Sequence, residues 1–321
     1  MNNSPILSVK NISVEYATEF GRFAAIQDIS FDLADGETLG LVGESGCGKS
    51  TTGRAILQLP RPTFGKVFFE NIDLTGISQR DMRKIRRRLQ IIFQDPVSSL
   101  NPRRKVKDIV AEPMAIAGIG TSREREAKVR EVLNAVGVDP EISMERRPHQ
   151  FSGGQCQRIC IARALILQPK LVVCDEPVSA LDVSVQAQIL NLLEDMKARY
   201  GLTVLFISHD LAVVKNVSDR IAVMYLGKLC ELADSNRIYD VPAHPYTAGL
   251  ISAIPAIETV PSNRREMSVL GGDVPSPLNP PTGCRFHTRC RFAQRKCTTE
   301  EPKLKQIEDR HFVSCHFPLS Q

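Results

Sequence analysis

The stretch that decides the fold is residues 38–51, TLGLVGESGCGKST. Its first five residues are largely apolar, as is typical of a buried strand in a parallel sheet. The next eight match the pattern G-x-x-x-x-G-K-[ST], and a helix is predicted to follow from Ser50 to about Gln58. Glycines in this pattern let backbone N–H groups turn towards phosphates, and the helix N-terminus adds the positive end of a dipole. The stretch therefore predicts a phosphate-binding loop between a strand and a helix.

Two side chains of this loop carry the expected chemistry. Lys49 is expected to reach the β- and γ-phosphates of a nucleotide, and the hydroxyl of Ser50 is expected to coordinate Mg²⁺. The residues predicted to bind the nucleotide here are Gly43, Glu44, Ser45, Gly46, Cys47, Gly48, Lys49, Ser50 and Thr51.

A second apolar run ends in two carboxylates. Residues Leu171–Cys174 have the pattern of a buried strand, and Asp175 and Glu176 follow directly. Adjacent acids at the mouth of a buried strand are costly without a cation. We therefore expect Asp175 to hold Mg²⁺ through water and Glu176 to polarise the attacking water.

Apolar periodicity predicts further elements, which are strands over Leu89–Phe93 and Thr203–Ile207 and helices over Arg123–Val136 and Val185–Tyr200. Thr121 and Glu124 have the spacing of a capping box at the start of one of these helices. Strands that alternate with helices indicate the α/β class.

Composition restricts the class of protein. The chain has 321 residues, of which 42% are hydrophobic and 24% charged, so we expect a soluble protein with a real core. Apolar runs are too short for a transmembrane helix, and Met1–Ser13 shows no targeting pattern, so a cytosolic chain is expected. The net charge of +5 is a poor argument for nucleic acid as a partner. The basic run 83–88 has no interleaved aromatic residues, and we interpret it as a solvated helix face.

Further motifs follow a fixed order within residues 5–240. Gln94 precedes Asp-Pro, F-S-G-G-Q occupies residues 151–155, S-A-L-D ends at Asp182, and His209 follows the strand that ends at Ile207. Together with the phosphate-binding loop and the carboxylates, this order resembles that of the ATP-binding cassette (ABC) ATPases. The resemblance implies an α/β fold of the P-loop ABC type, with a RecA-like core and a helical subdomain.

The resemblance also implies domain boundaries. The ABC ATPase domain is expected over residues 1–255, with its helical subdomain over about 95–165. Composition changes after about Ile254, and residues 271–283 are rich in proline and glycine. Residues 256–321 are therefore predicted to form a small C-terminal appendage.

By the same resemblance, two ATPase subunits enclose two ATP molecules head to tail. The residues implied to contact the γ-phosphate held by the opposite subunit, or to line that interface, are Ser152, Gly153, Gly154, Gln155 and Asp182. The motif departs from the family in starting with Phe151 where leucine is usual, and we expect activity to survive this apolar exchange.

Catalytic roles are implied for two further residues, Gln94 and His209, and a nucleotide-binding role for Tyr16. Gln94 would touch Mg²⁺ or the attacking water, and His209 would contact the γ-phosphate and pair with Glu176. Tyr16 is the candidate for stacking on adenine, with Phe20 and Phe23 as alternatives.

The C-terminal appendage contains four cysteines, Cys284, Cys290, Cys297 and Cys315. A small segment with little core needs a metal or a cross-link to hold one shape. Zinc sites usually carry C-x2–4-C pairs, which are absent, whereas iron–sulfur clusters accept looser spacing. Zinc, an iron–sulfur cluster with or without histidine ligands, and unliganded thiols all remain open on spacing alone. The other five cysteines are expected to be small buried apolar residues.

Two stretches narrow the family. Residues 242–247 (PAHPYT) and 278–284 (LNPPTGC) resemble the C-terminal region of ATPases from oligopeptide and dipeptide ABC importers. In that group the four cysteines are associated with a [4Fe–4S] cluster. Residues 151–158 (FSGGQCQR) resemble the second, F-type ATPase subunit of these systems.

The resemblance implies an energy-coupling subunit of a di- or oligopeptide importer. The implied partners are two transmembrane permease subunits, a second ABC ATPase in a heterodimer and, indirectly, a substrate-binding protein. The chain would lie peripherally on the cytoplasmic face of the inner membrane, with ATP and Mg²⁺ as ligands and no nucleic acid. The alternatives are a related cargo such as a nickel chelate or glutathione, a soluble non-transport ABC ATPase, and an iron–sulfur redox sensor.

Overall fold

The computed structural model describes residues 4–19, 21–254 and 271–319. In chain order its elements are β1 (Leu7–Thr18), β2 (Gly21–Leu33), β3 (Thr38–Val42), α1 (Lys49–Ile56), β4 (Phe64–Phe69), β5 (Ile72–Asp73), α2 (Gln79–Ile85), β6 (Leu89–Ile92), α3 (Val106–Ala117), α4 (Ser122–Ala135), α5 (Pro140–Ser143), α6 (Gly153–Leu165), β7 (Leu171–Asp175), α7 (Val183–Tyr200), β8 (Thr203–Ser208), α8 (Leu211–Val217), β9 (Arg220–Tyr225), β10 (Lys228–Asp234), α9 (Ser235–Asp240), α10 (Pro245–Ser252), α11 (Arg295–Thr299), β11 (Lys305–Glu308) and β12 (His311–Val313). They fall into two compact units, one of residues 1–33, 38–75 and 208–321 and one of residues 34–37 and 76–207.

The first unit contains the strand that leads into the phosphate-binding loop. This strand, β3, is buried along its whole length and runs parallel to β9. Strand β9 then pairs antiparallel with β10, which extends the sheet away from β3. In the same unit β2, β1, β4 and β5 form an antiparallel sheet in that order. The predicted strand Thr38–Val42 is confirmed.

The C-terminal segment joins the sheet of the first unit. Strand β12 pairs antiparallel with β10, and β11 pairs with β12. A buried contact fixes this edge, because the fully buried carboxylate of Glu231 on β10 lies 2.7 Å from Nε2 of His311 on β12. Residue 255, where the domain boundary is predicted, lies outside the described residues, so that boundary stays a prediction.

The second unit presents parallel strands with helices. Strands β6, β7 and β8 pair side by side in parallel register. Both β7 and β8 are buried throughout, as their continuous apolar sequences predict. Helices α3, α4 and α6 pack on one another within the range predicted for a helical subdomain.

The predicted elements are confirmed with small shifts at their ends. Helix α1 ends at Ile56 rather than near Gln58, because Gln58 adopts a left-handed backbone with φ of 59°. Helix α7 begins at Val183, two residues before its predicted start, and its N-cap residue Asp182 is in an extended conformation. In the described part of the chain, no helix combines the length and apolarity required to span a bilayer.

The capping box at the start of α4 gives a test of this local structure. Thr121 Oγ1 accepts the N–H of Glu124, and the Glu124 carboxylate accepts the N–H of Thr121. We expect Thr121→Ala to lower the free energy of unfolding by about 1 kcal/mol, because the N–H of Glu124 loses its side-chain acceptor. Ser122→Ala, one residue into the helix, should change it by less than about 0.5 kcal/mol. Urea unfolding followed by circular dichroism measures both, and equal effects would contradict the capping role.

Candidate active site

The phosphate-binding loop has the backbone that its glycines predict. Gly43, Gly46 and Gly48 have φ values of 151°, 78° and 101°, a region that side chains rarely tolerate. A Cβ on Gly43 would lie 2.2 Å from the carbonyl oxygen of Met224, and one on Gly48 would lie 2.7 Å from that of Ala25. The loop therefore approaches neighbouring backbone so closely that any side chain at Gly43 or Gly48 would collide with it.

The lysine of the loop is held by the loop itself. Lys49 is 4% exposed, and its ammonium donates hydrogen bonds to the carbonyl oxygens of Gly43, at 2.7 Å, and Glu44, at 3.0 Å. Ser50 and Thr51 follow on the first turn of α1, both partly exposed. Thr52 Oγ1 donates to the carbonyl of Gly48 at 3.0 Å, which fastens the loop to the helix. A positive charge is thus fixed where the sequence predicts a phosphate.

Cys47 lies inside this loop as an apolar residue. It is 3% exposed, and burial raises the pKa of its thiol. The other four cysteines outside the C-terminal segment are also buried; they are Cys156, Cys160, Cys174 and Cys230. With Cys47, this confirms the expectation that all five are small buried residues.

Asp175 and Glu176, at the end of β7, differ in exposure and backbone conformation. Asp175 ends β7 and is 1% exposed, whereas Glu176 is half-buried and has φ of 47°. The N–H of Glu176 donates to the carbonyl of Ile207 at 3.0 Å. A positive φ on a non-glycine residue is strained and persists only where the surroundings impose it. Glu176 thus departs from the extended strand conformation directly after β7.

Gln94 lies against Glu176. Its Nε2 donates to Glu176 Oε2 at 2.9 Å, from the loop that follows β6. The sequence predicts a contact of Gln94 with Mg²⁺ or with water, and this direct hydrogen bond to the carboxylate is an additional role. Gln94 can therefore orient Glu176.

The F-S-G-G-Q motif begins α6 with a capping box. Ser152 Oγ accepts the N–H of Gln155 at 3.3 Å, and Gln155 Oε1 accepts the N–H of Ser152 at 3.0 Å. Because the serine oxygen only accepts in this box, its own proton stays available for an anionic partner. Ser152, Gly153 and Gln155 are exposed, so the start of this 13-residue helix faces solvent.

The second glycine of the motif allows α7 to approach. A Cβ on Gly154 would lie 2.6 Å from Cγ1 of Val185. A Cβ on Gly153 would be 3.5 Å from Leu181, next to the exposed Asp182 at the start of α7. The structure thus brings the motif and Asp182 together on one surface of the second unit.

Besides the phosphate-binding loop, the first unit contains two further predicted site residues, His209 and Tyr16. His209 is exposed directly after β8, and its predicted pairing with Glu176 stays a prediction. Tyr16 is 38% exposed and lies opposite Phe23 in the β1–β2 register, with ring centroids 5.8 Å apart. Phe20 lies outside the described residues. Tyr16 and Phe23 thus form one aromatic pair, and which of them stacks on adenine stays a prediction.

The four C-terminal cysteines face one pocket. Cys284, Cys290, Cys297 and Cys315 line it together with His287 and His316. Burial raises the pKa of Cys284 to about 11 and that of Cys315 to about 12. Within residues 4–19, 21–254 and 271–319, no three Cys, His, Asp or Glu side chains converge closely enough to hold a metal ion.

Sequence reasoning missed the partners of Glu44. Arg289 forms an ion pair with its carboxylate at 2.8 Å, and the hydroxyl of Tyr246 accepts its N–H at 3.0 Å. The loop residue is visible in the sequence, but both partners lie about 200 residues or more further along the chain. A single sequence carries no signal for such long-range contacts.

Comparison with known proteins identifies the family. A family model described as "ABC transporter" matches residues 26–179, and one described as "Oligopeptide/dipeptide transporter, C-terminal region" matches residues 230–297. A putative peptide import ATP-binding protein of Brucella ovis is 50% identical over 98% of both chains. The oligopeptide transport ATP-binding protein AppF of Bacillus subtilis is 48% identical, also over 98% of both chains. The chain belongs to the ABC transporter family. It is an ATPase whose hydrolysis is coupled to transport, as predicted.

Solved structures agree with this fold. A dimeric ATP-binding cassette in a post-hydrolysis state bound to ADP and phosphate is 29% identical, with a TM-score of 0.65. The match covers 71% of this chain and 98% of that one. cbiO1 of Clostridium perfringens, part of an ABC transporter complex, is 27% identical with a TM-score of 0.65, over 74% of this chain and 91% of its own. The predicted P-loop ABC class is confirmed.

Two glycines of the ABC phosphate-binding loop form a matched pair for substitution. Gly46→Ala and Gly48→Ala both place a side chain in a left-handed conformation, at a cost of about 1 kcal/mol. Only at Gly48 would the Cβ also meet neighbouring atoms within 3 Å, whereas the space around Gly46 is open. We expect Gly48→Ala to lower the free energy of unfolding by a further 1–3 kcal/mol or so. Chemical unfolding without nucleotide checks this, and equal losses would contradict the close approach at Gly48.

Proposed function

We propose that this ATPase is the energy-coupling subunit of an importer for di- or oligopeptides. The observation that carries the proposal is the match of the oligopeptide/dipeptide transporter C-terminal region to residues 230–297. The similarity to relatives named peptide or oligopeptide import ATP-binding proteins runs along 98% of the chain and thus includes this region. The assignment to the F-type subunit is supported by OppF of Haemophilus influenzae, which is 48% identical over 91% of this chain and 88% of its own.

In this proposal the residues of the phosphate-binding loop hold ATP. Lys49 offers a fixed ammonium to the phosphates, while Ser50 and Asp175 hold Mg²⁺. Tyr16, paired with Phe23, offers an exposed ring face to adenine. The magnesium ion supplies charge neutralisation at the γ-phosphate when bound. This role suits Asp175, whose buried carboxylate would otherwise be costly.

Glu176 is proposed to act as the general base. Its carboxylate takes a proton from the attacking water as the oxygen approaches the γ-phosphorus, and ADP leaves with the β-phosphate oxygen. The Gln94 amide donates to Glu176 Oε2 and so can orient the carboxylate for the attacking water. His209 would support the γ-phosphate. The family motifs support each of these roles, and for Glu176 the contact with Gln94 adds support.

Replacing the base separates binding from hydrolysis. We expect Glu176→Gln to bind ATP with nearly unchanged affinity but to hydrolyse it at least about 100-fold more slowly, because the amide cannot take the proton. The exposed Glu194 on α7 provides the matched control as Glu194→Gln, which should keep the full rate. Phosphate release measured at saturating ATP decides between them. Full turnover in Glu176→Gln would remove Glu176 as the base.

The chain is proposed to work with a second ATPase and two permease subunits. The exposed residues Ser152, Gly153 and Gln155, with Asp182 beside them, present a serine hydroxyl and helix amides to a nucleotide on the opposite subunit. The similarity of this chain to cassettes solved as dimers supports the pairing of two ATPase subunits. The segment from Gln94 to about Glu112, which includes the start of α3 and in which Val97 is 55% exposed, would receive a helix of the permease. The subunit would then lie on the cytoplasmic face of the inner membrane, with a substrate-binding protein delivering cargo to the permeases.

Co-purification from native membranes tests this assembly. The tagged chain, extracted in mild detergent, should bring along two multi-span permeases and a second ATPase that mass spectrometry identifies. Recovery of the chain alone, or with ribosomal or DNA-repair proteins, would contradict the importer and favour a soluble ABC ATPase.

The C-terminal cysteines are proposed to hold a [4Fe–4S] cluster. Four thiols face one pocket, which matches the donor set of such a cluster. Zinc suits the sequence less, because zinc sites usually carry C-x2–4-C pairs and this segment has none. When bound, the cluster would supply a cross-link between these four positions. Cysteine binds iron as the thiolate, so protons would leave as iron binds.

Metal content tests the cluster directly. Protein purified without oxygen should contain about four iron and four sulfide per chain, and Cys290→Ser should lose most of both. Cys156→Ala, which removes a buried cysteine far along the chain on α6, should keep the full content. Stoichiometric zinc instead of iron would contradict the proposal. ATPase assays before and after oxidation distinguish a structural cluster from a redox sensor.

A further inference from the structure

The C-terminal segment reaches into the phosphate-binding loop through one side chain. The guanidinium of Arg289 donates to both carboxylate oxygens of Glu44, at 2.8 and 3.0 Å. The side chain of Arg289 is 6% exposed and that of Glu44 is 24% exposed, so the arginine side of the pair is largely shielded from water. Bidentate pairs of this kind fix direction as well as distance. Glu44 is the second residue of the loop that is proposed to hold ATP.

Arg289 is itself firmly held. Its Nε donates to the carbonyl of Gly271 at 3.2 Å, and its Nη1 also lies 3.4 Å from the hydroxyl of Tyr225. The guanidinium carbon stands 5.8 Å from the centroid of the Tyr225 ring, within range of a cation–π contact. The arginine is thus a preorganised group and not a chance surface contact.

The backbone of Glu44 is held from the same side. Its N–H donates to the hydroxyl of Tyr246 at 3.0 Å. The ring of Tyr246 packs on Tyr225 at 4.7 Å and on Phe286 at 5.3 Å between centroids, and Phe286 lies three residues before Arg289. Residues after position 220 therefore hold both the backbone N–H and the carboxylate of Glu44.

Glu44 in turn supports the lysine. Its carbonyl oxygen accepts one of the hydrogen bonds of Lys49, 3.0 Å away. Its carboxylate, however, places a negative charge in a loop that must attract an anion. A charge of like sign near a phosphate is unfavourable unless a cation neutralises it. Arg289 supplies that cation.

We propose that Arg289 is a positioning residue of the nucleotide site: it neutralises Glu44 and holds the Glu44 side of the phosphate-binding loop. The C-terminal region is then part of the ATP site in addition to any cluster it holds. The proposal rests on the proposed role of this loop in binding ATP. It assigns no chemical step to Arg289, which acts through Glu44 alone.

Nucleotide binding by the full-length chain tests the proposal. We expect Arg289→Ala to weaken binding of Mg-ATP about tenfold, and of Mg-ADP less, because the exposed charge of Glu44 repels the more anionic ligand more strongly. Adding Glu44→Gln to Arg289→Ala removes that charge and should restore ATP affinity to within about threefold of the original. A residue that serves only the fold would not be rescued in this way.

Controls keep the result interpretable. Arg310→Ala removes an exposed ion pair of the same segment, 3.5 Å from Asp234, and should leave both affinities unchanged. Arg289→Lys keeps the charge with fewer hydrogen bonds, should weaken ATP binding only about threefold, and replaces the alanine variant if that does not fold. Calorimetric titration with each nucleotide and a melting curve for each variant complete the set.

Two outcomes would overturn the role of Arg289. These are unchanged ATP affinity in folded Arg289→Ala or Arg289→Lys, and a loss that Glu44→Gln fails to reverse. If the unsubstituted chain does not bind ATP at all, the proposed function itself is contradicted, which separates the two failures.

Discussion

The buried ammonium of Lys49 is the interaction on which the rest of the first unit depends. A buried charge is tolerated only where hydrogen bonds replace its water, and here the carbonyls of Gly43 and Glu44 do so. Those carbonyls can face inwards only because glycine backbone adopts left-handed conformations in this loop. The buried strand β3 and helix α1 then hold the two ends of the loop in place. Fold and phosphate chemistry are thus consequences of the same constraint.

Local features of the fold and site are predictable from the sequence. The strand Thr38–Val42, the loop after it and the capping box at Thr121 all follow from spacing and residue type within a few positions. The contacts of Gln94 with Glu176 and of Arg289 with Glu44 join residues 82 and 245 positions apart. No periodicity or motif encodes such a pairing, since it arises from the packing of the chain. The proposed catalytic residues therefore follow from motifs, whereas their supporting contacts are visible only in the structure.

The C-terminal segment is more closely integrated into the fold than its composition indicates. Composition alone indicates an appendage with little core, and its four cysteines suggest a metal or cluster site. In the structure, β12 extends the sheet at β10, and the carboxylate of Glu231 lies against His311 in the interior. Arg289 directly precedes Cys290, so whatever fixes the cysteines also fixes the arginine at the phosphate-binding loop. A cross-link there would stabilise the nucleotide site from outside the motifs of the ABC family.

Peptide uptake by a reconstituted complex tests the central claim most directly. The chain and the membrane partners recovered with it would be placed in proteoliposomes with a substrate-binding protein and a labelled peptide. The account predicts uptake that requires ATP on the side of this chain and disappears with Glu176→Gln. ATP hydrolysis that proceeds at the same rate with and without peptide, and without any uptake, would contradict it.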